Sequence, residues 1–241
     1  MLLFYIRHGD PIYDPDSLSP LGHKQADALS RRLISYGIDE IYSSSSTRAM
    51  ETAEATAKLL RKEIHLCPWA HEGLVWGEFV TFSEKINGYT WACFDEEYRA
   101  KFNCPEVRAL GAKWYDHPYF ADTKFKDGVL RVDAEVDNFL LSLGYRHDRE
   151  NCRYTVEKSN DKRVALFAHE GFGWAFISSM LDIPYAQFST RFSLGHSSMT
   201  VIDFREGGEF VYPRILTYSN DSHLYKEGLL SGYGYVGGVR F

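Results

Sequence analysis

Leu2-Leu-Phe-Tyr-Ile6 runs directly into Arg7-His8-Gly9-Asp10-Pro11, and the reading of this junction decides the fold. Five apolar residues followed by turn formers read as a short strand buried on both faces, the kind found in the middle of a parallel sheet. Arg163-Val-Ala-Leu-Phe-Ala168 repeats the pattern late in the chain and runs into His169-Glu170-Gly171. Between them, Ser19-Pro20 predicts a helix start, with Leu21, Ala28, Leu29 and Leu33 toward one side and Gly37 as its stop. Glu40-Ile-Tyr-Ser43 predicts a second strand, Thr47 to Arg61 a second helix, and Ile64-His-Leu66 a third strand. Further helices are expected from about Val129 to Leu143 and from about Gly171 to Leu181. Strands alternating with helices of this length predict an α/β fold, a three-layer αβα sandwich on a mostly parallel sheet. Met199 to Phe204 and Glu209 to Tyr212 are expected to close it as an antiparallel pair on the sheet edge.

Residues 69–125 break this rhythm. They hold fourteen aromatics in 57 residues with no sustained period, and read as a cap of short helices and loops inserted over one end of the sheet. Without a linker or a repeat, the whole of 1–241 reads as one domain carrying this cap, with a flexible tail from about 221 to 241.

The overall balance is mildly acidic: 27 Lys and Arg against 33 Asp and Glu leave −6, with hydrophobic residues at 44%. That argues against wholesale disorder and gives no electrostatic case for nucleic acid. No apolar run approaches the ~18 residues of a membrane span. The opening apolar run is too short for a secretory leader and lacks a basic start. Cys67, Cys93, Cys104 and Cys152 show no metal-ligand spacing, so reduced thiols and a cytoplasmic location are expected.

Ligands of open α/β sheets bind beyond the carboxyl ends of the strands. Three strand ends here release reactive residues: Arg7-His8, then Ser43-Ser-Ser-Ser-Thr-Arg48, then His169-Glu170-Gly171. Two histidines and two arginines at one sheet edge, near helix starts, suit a phosphoryl group, because guanidinium forks bind its oxygens and a neutral imidazole can attack phosphorus. Arg48 on a first helical turn is ordinarily a solvated charge, and at the positive end of the dipole it favours an anion partner. The tetrapeptide Ala-His-Glu-Gly occurs at 70–73 and at 168–171. Only the second copy follows a clear strand and leads into a helix, so His169 is chosen and His71 is read as a surface or cap residue. Neither pair has the spacing that places two metal ligands on one helix face, and no metal or other cofactor is expected. Trp76, Phe79, Trp91 and Trp114 either form the cap's own core or line a pocket. His196 is read as edge-strand surface.

The ordered motifs Arg7-His8-Gly9, Leu18-Ser-Pro-Leu-Gly22 with Gln25-Ala26, Tyr42-Ser-Ser44 with Arg48-Ala49 and Thr52-Ala53, and Phe167-Ala-His-Glu-Gly171 resemble the histidine phosphatase superfamily, which includes phosphoglycerate mutases. The resemblance is firm over residues 2–66 and 163–204 and weak across the aromatic stretch and the tail. It implies a phosphoric monoester hydrolase of the histidine acid phosphatase kind, acting on a small phosphorylated molecule. In it His8 is the nucleophile, Arg7, Arg48 and His169 bind the phosphate, His169 also serves catalysis, and Glu72 is the general acid, with Glu78 as the alternative. Two other readings stay open. A mutase-type isomerase is disfavoured by Asp10-Pro11 after the Arg-His-Gly signature and by Gly171 two residues past the second histidine. A catalytically silent binding protein would have no need of all four residues.

Overall fold

The computed structural model describes residues 1–205 and 208–229. In chain order its elements are β1 (Leu2–Arg7), β2 (Pro11–Tyr13), β3 (Asp16–Leu18), α1 (Pro20–Tyr36), β4 (Glu40–Ser44), α2 (Thr47–Leu60), β5 (Ile64–Cys67), α3 (Glu72–Phe79), β6 (Val80–Ser83), β7 (Gly88–Trp91), α4 (Glu96–Asn103), α5 (Pro105–Ala109), α6 (Phe125–Ser142), β8 (Tyr145–Asp148), β9 (Arg153–Val156), β10 (Arg163–Ala168), α7 (Glu170–Met180), α8 (Tyr185–Ser189), β11 (Met199–Asp203), β12 (Phe210–Val211), β13 (Arg214–Asn220) and α9 (Ser222–Lys226). They form two compact units, one of residues 1–71, 159–170 and 194–241, the other of 72–158 and 171–193.

The first unit holds a six-stranded sheet in the order β13-β11-β1-β10-β4-β5. β1, β10, β4 and β5 run parallel, while β11 is antiparallel to both β1 and β13. This is the mixed α/β fold, with a mostly parallel central sheet flanked by helices, that the strand pattern predicts. Side chains alternate across a strand, so Phe4 and Ile6 of β1, Ala165 and Phe167 of β10, and Met199 and Val201 of β11 share one face. That face meets Leu29 and Leu33 of α1 and Ala53 and Ala57 of α2. The intervening residues Leu3, Tyr5, Val164 and Leu166 are equally buried, which is why both strands read as unbroken apolar runs. The antiparallel pairing differs from expectation. β11 already has β1 on one side and Arg214–Asn220 on the other, so it has no free edge left to pair with residues 209–212.

α1 begins and ends as its sequence dictates. Ser19 Oγ accepts the Gly22 N–H, Pro20 takes the first turn, and Gly37 closes the helix at φ 70° with its N–H on Leu33 and Ile34 carbonyls. In the tail, Ser222–Lys226 forms α9 with His223 and Leu224 buried; the rest of the expected flexible segment, 230–241, lies outside the described residues.

The expected cap, 69–125, falls almost wholly in the second unit, which also takes in α6, the β8–β9 hairpin and most of α7. Its core is aromatic: Phe102, Trp114, Phe120 and Phe125 pack with ring centroids 5.3–5.6 Å apart, and Phe79 stacks on Tyr185 at 4.2 Å. Phe79 and Trp114 are therefore core residues, whereas Trp76 is exposed. At Gly128 a Cβ would stand 2.8 Å from the Phe79 ring, so glycine is what lets α6 approach α3 this closely. Among the described residues no helix is long and apolar enough to cross a membrane, and none of the four cysteines is in a disulfide.

A buried polar lock ties α6 to the end of α7. His147 places Nδ1 2.9 Å from Asp137 and Nε2 2.9 Å from Asp182, and its ring stacks on Tyr154 at 4.0 Å. Burial pushes its pKa down, but the two carboxylate hydrogen bonds outweigh burial and raise it above 6.5. The stabilisation from a raised histidine is complete below the unfolded pKa and is lost as pH rises through the folded one. His147→Gln is accordingly expected to lower Tm most below about pH 6 and progressively less toward pH 9. Parallel melting curves for both proteins check this, and a Tm gap that does not change with pH would refute it.

Candidate active site

β1, β10 and β4 end side by side, and the chain leaving each turns back over the same sheet edge. The His8 N–H donates to the Ala168 carbonyl at 3.0 Å, holding the ends of β1 and β10 together. Four of the five residues expected in the site, Arg7, His8, Arg48 and His169, meet here within the first unit, and all four are buried.

Arg48 organises the cluster. Its Nε donates to His8 Nε2 and its Nη2 to His169 Nδ1, each at 3.1 Å. A guanidinium only donates, so both of these ring nitrogens carry lone pairs. The remaining nitrogens confirm the tautomers. His8 Nδ1–H donates to the Gly9 carbonyl at 2.7 Å, and His169 Nε2–H points at Ser44 Oγ (2.9 Å) and Ser46 Oγ (3.2 Å). Burial, reinforced by the neighbouring His169, Arg7 and Arg48, holds the His8 pKa well below 6.5. Burial and then Arg48, His71 and Arg7 do the same for His169. Both rings are neutral at physiological pH.

Arg48 is thus no solvated charge. It is 8% exposed, and the anion that answers it is Asp16 from the β2–β3 hairpin, 2.6 Å from Nη1. The other Asp16 oxygen accepts the Thr47 N–H at 2.8 Å, taking the capping role that the Ser46 hydroxyl gives up to face His169. Arg7 is held by Glu170 at 2.8 Å in a buried ion pair, by the Leu194 carbonyl, and by His196 Nε2 at 2.7 Å. Removing one partner of such a pair typically costs about 3–5 kcal/mol, since the other charge is left buried alone.

His196 occupies a turn before β11 and is not on an edge strand. β11 lies beside β1, so the turn abuts the end of the strand that carries His8, with the two rings 5.5 Å apart. Burial and then Arg7 and Arg48 push its pKa down to about 3, which keeps Nε2 an acceptor for Arg7. His71 likewise stands beside the cluster, its ring 6.3 Å from that of His169. Both Ala-His-Glu-Gly copies lead into a helix, α3 and α7, so the helix does not distinguish them as the sequence reading supposed.

Glu72 opens α3 in the second unit, where Oε1 accepts the Gly171 N–H at 2.9 Å. A Cβ at Gly171 would lie 2.3 Å from the Trp91 ring, so only glycine fits between Glu72 and Trp91. Glu78 is engaged on both oxygens by Arg131, at 2.6 and 2.7 Å.

Residues 3–91 match the profile of the histidine phosphatase superfamily (branch 1). A search of curated proteins found no match. Among solved structures, the chain shares its fold with an Entamoeba histolytica phosphoserine phosphatase variant in complex with phosphoserine (22% identity, 92% of this chain and 98% of that one, TM-score 0.60). It also shares it with a mycobacterial glucosyl-3-phosphoglycerate phosphatase (20%, 90% and 98%, 0.56) and the α-ribazole phosphatase of Shigella flexneri (16%, 92% and 97%, 0.56). In sequence profile and in fold, the chain resembles the histidine phosphatase superfamily, as its motifs imply.

Two glycines set how closely the His8 loop sits on α1. A Cβ at Gly22 would stand 2.2 Å from the Asp10 carbonyl oxygen, and one at Gly9 2.7 Å from that of Gly22. Both obstacles are backbone and cannot swing away. Gly22→Ala is expected to destabilise the protein by roughly 1–3 kcal/mol, as overpacking does. Gly77→Ala, exposed on α3 with open space around it, is expected to be neutral or to stabilise by about 0.5–1 kcal/mol. Denaturant midpoints of the two variants check the contrast; equal midpoints would mean that the α1 crossing is not tight.

Proposed function

We propose that the protein is a phosphatase that transfers the phosphoryl group of a small phosphomonoester to His8 and then to water. The observation that carries this reading is the His8 tautomer. With Nδ1–H fixed on the Gly9 carbonyl, the Nε2 lone pair faces Arg48 in a buried setting that keeps the ring unprotonated. A nucleophile of this kind needs no base to activate it.

In the first step the His8 Nε2 pair bonds to phosphorus as the ester P–O bond breaks. The Arg48 N–H groups that rest on His8 and His169 turn to the phosphoryl oxygens, joined by Arg7 and, once the anion is bound and the Nδ1 freed by Arg48 takes up a proton, by His169. Turned in this way on substrate binding, the donors are set before charge builds up in the transition state, the condition under which electrostatic stabilisation is strongest. A proton from Glu72 goes to the departing alkoxide. In the second step Glu72 takes a proton from water, whose oxygen attacks phosphorus, and inorganic phosphate leaves with His8 restored as a neutral imidazole. Glu72 suits this role better than Glu78, whose two oxygens are committed to Arg131. Of the four aromatics considered for the leaving group, Trp76 and Trp91 are the candidates, since Phe79 and Trp114 are interior. The proteins of shared fold are a phosphoserine phosphatase, a glucosyl-3-phosphoglycerate phosphatase and an α-ribazole phosphatase, which favours a small substrate here as well.

Rapid quench with ³²P-labelled substrate is expected to trap an acid-labile, base-stable adduct on His8, absent in His8→Ala. Label on Ser44 or Ser46 would overturn the nucleophile. Arg48→Ala is expected to abolish most turnover, by roughly 10²–10³ or more, the scale for one lost transition-state donor.

Glu72→Gln is expected to slow alkyl phosphates far more than p-nitrophenyl phosphate, whose phenolate leaves without a proton, when P–O cleavage limits the rate. Glu78→Gln should show no such dependence on leaving group. The reverse pattern would move the acid to Glu78.

A further inference from the structure

α9 packs beside α1 in the first unit and leaves a groove between them. Its walls are strongly basic for a chain of net charge −6. Arg31 is neutralised by Glu227 at 3.0 Å. Arg32 uses only Nη1, donating to Asn220 Oδ1 at 2.6 Å and to His223 Nδ1 at 3.4 Å. Among the described residues its Nε and Nη2, and the whole Lys226 ammonium, have no hydrogen bond or ion pair. Two positive charges therefore remain unanswered in one concavity, with the Ser222 hydroxyl at its edge.

We propose that this groove is a second anion site, separate from the His8 cluster, and that it takes inorganic phosphate as the dianion. Two unbalanced charges call for a dianion, and tetrahedral oxygens let one ligand accept from a planar guanidinium and a point-like ammonium together. The site stands whether or not His8 performs phosphoryl transfer.

Beneath the groove, His223 is 5% exposed and carries the signal inward. With Nδ1 facing Arg32, its Nε2–H donates to Ser197 Oγ at 3.1 Å. Ser197 holds a left-handed backbone at φ 60°, and its N–H donates to the His8 carbonyl at 2.9 Å. Burial and then Arg32 lower the His223 pKa to about 4, so the ring is neutral and its shifts report on the charge near Arg32. An anion on Arg32 is thus two hydrogen-bonded residues from the backbone of His8.

The test follows the His223 ring resonances of the full chain by NMR, assigned with His223→Asn, as inorganic phosphate is added at pH 7 and constant ionic strength. A saturable shift is expected, preserved in Arg48→Ala. In Arg32→Gln/Lys226→Gln it should be about tenfold weaker, in line with losing charge-assisted donors. Lys226→Gln alone, an exposed change that leaves packing intact, should weaken it in the same direction. A His223 ring that does not respond, a response unchanged by both sets of substitutions, or one lost in Arg48→Ala would each overturn the site.

Discussion

A single guanidinium bridging two neutral imidazoles is the interaction on which the rest of this structure depends. Arg48 can only donate, so it obliges His8 Nε2 and His169 Nδ1 to be acceptors. That requirement propagates outward. His8 needs a carbonyl for Nδ1–H and finds its own neighbour, Gly9; His169 needs hydroxyls for Nε2–H and finds the serines at the end of β4. The serine that should cap α2 is thereby diverted, and Asp16 from the β2–β3 hairpin caps the helix and neutralises Arg48 in its place. Thr52, one turn along α2, then holds the Gly9 N–H at 3.1 Å and returns the chain of contacts to its start.

The two arginines each have a carboxylate partner, Arg48 with Asp16 and Arg7 with Glu170. Buried unpaired guanidinium groups would be very unfavourable, so the pairing is what makes this buried cluster foldable. In the reaction proposed above, a phosphate dianion competes with these two carboxylates. That competition would make binding weaker than two bare arginines would give, and release of the proposed product correspondingly easier. Asp16 lies on a short hairpin whereas Glu170 is buried at the start of α7, so the two counter-ions differ in how readily they can yield.

Much of this was legible in the sequence, for reasons that differ by element. β1 and β10 declared themselves because both faces are buried and nothing polar interrupts them. α1 was bounded by Ser19-Pro20 and Gly37, whose chemistry is local. The four central site residues followed from strand ends, since topology alone brings such ends to one edge. What stayed hidden depended on partners distant in sequence. Nothing around Asp16 marks it as the counter-ion of a residue 32 positions away. His196 looked like edge surface because the pairing of β11 with both β1 and β13 could not be read from residues 199–212 alone. Phe79 and Trp114 could not be sorted from Trp76 by type, because burial separates them and the aromatic stretch has no period to reveal it.

The place of β1 in the sheet also bears on how the chain is made. Its two neighbours are β10 and β11, both from the last third of the sequence, and no other strand touches it. β1 leaves the ribosome well before either partner, apolar on both faces, and it lacks a partner on one edge until Ala168 has been synthesised and on the other until Asp203 has. By then β4, β5 and the two helices between β3 and β5 can have collapsed without it, because their mutual contacts are local. Insertion of β1 between its late partners is the long-range step, the kind that slows folding and exposes an aggregation-prone edge in the interval. Since His8 follows that strand, its imidazole reaches the buried setting beside Arg48 and His169 only when the sheet closes.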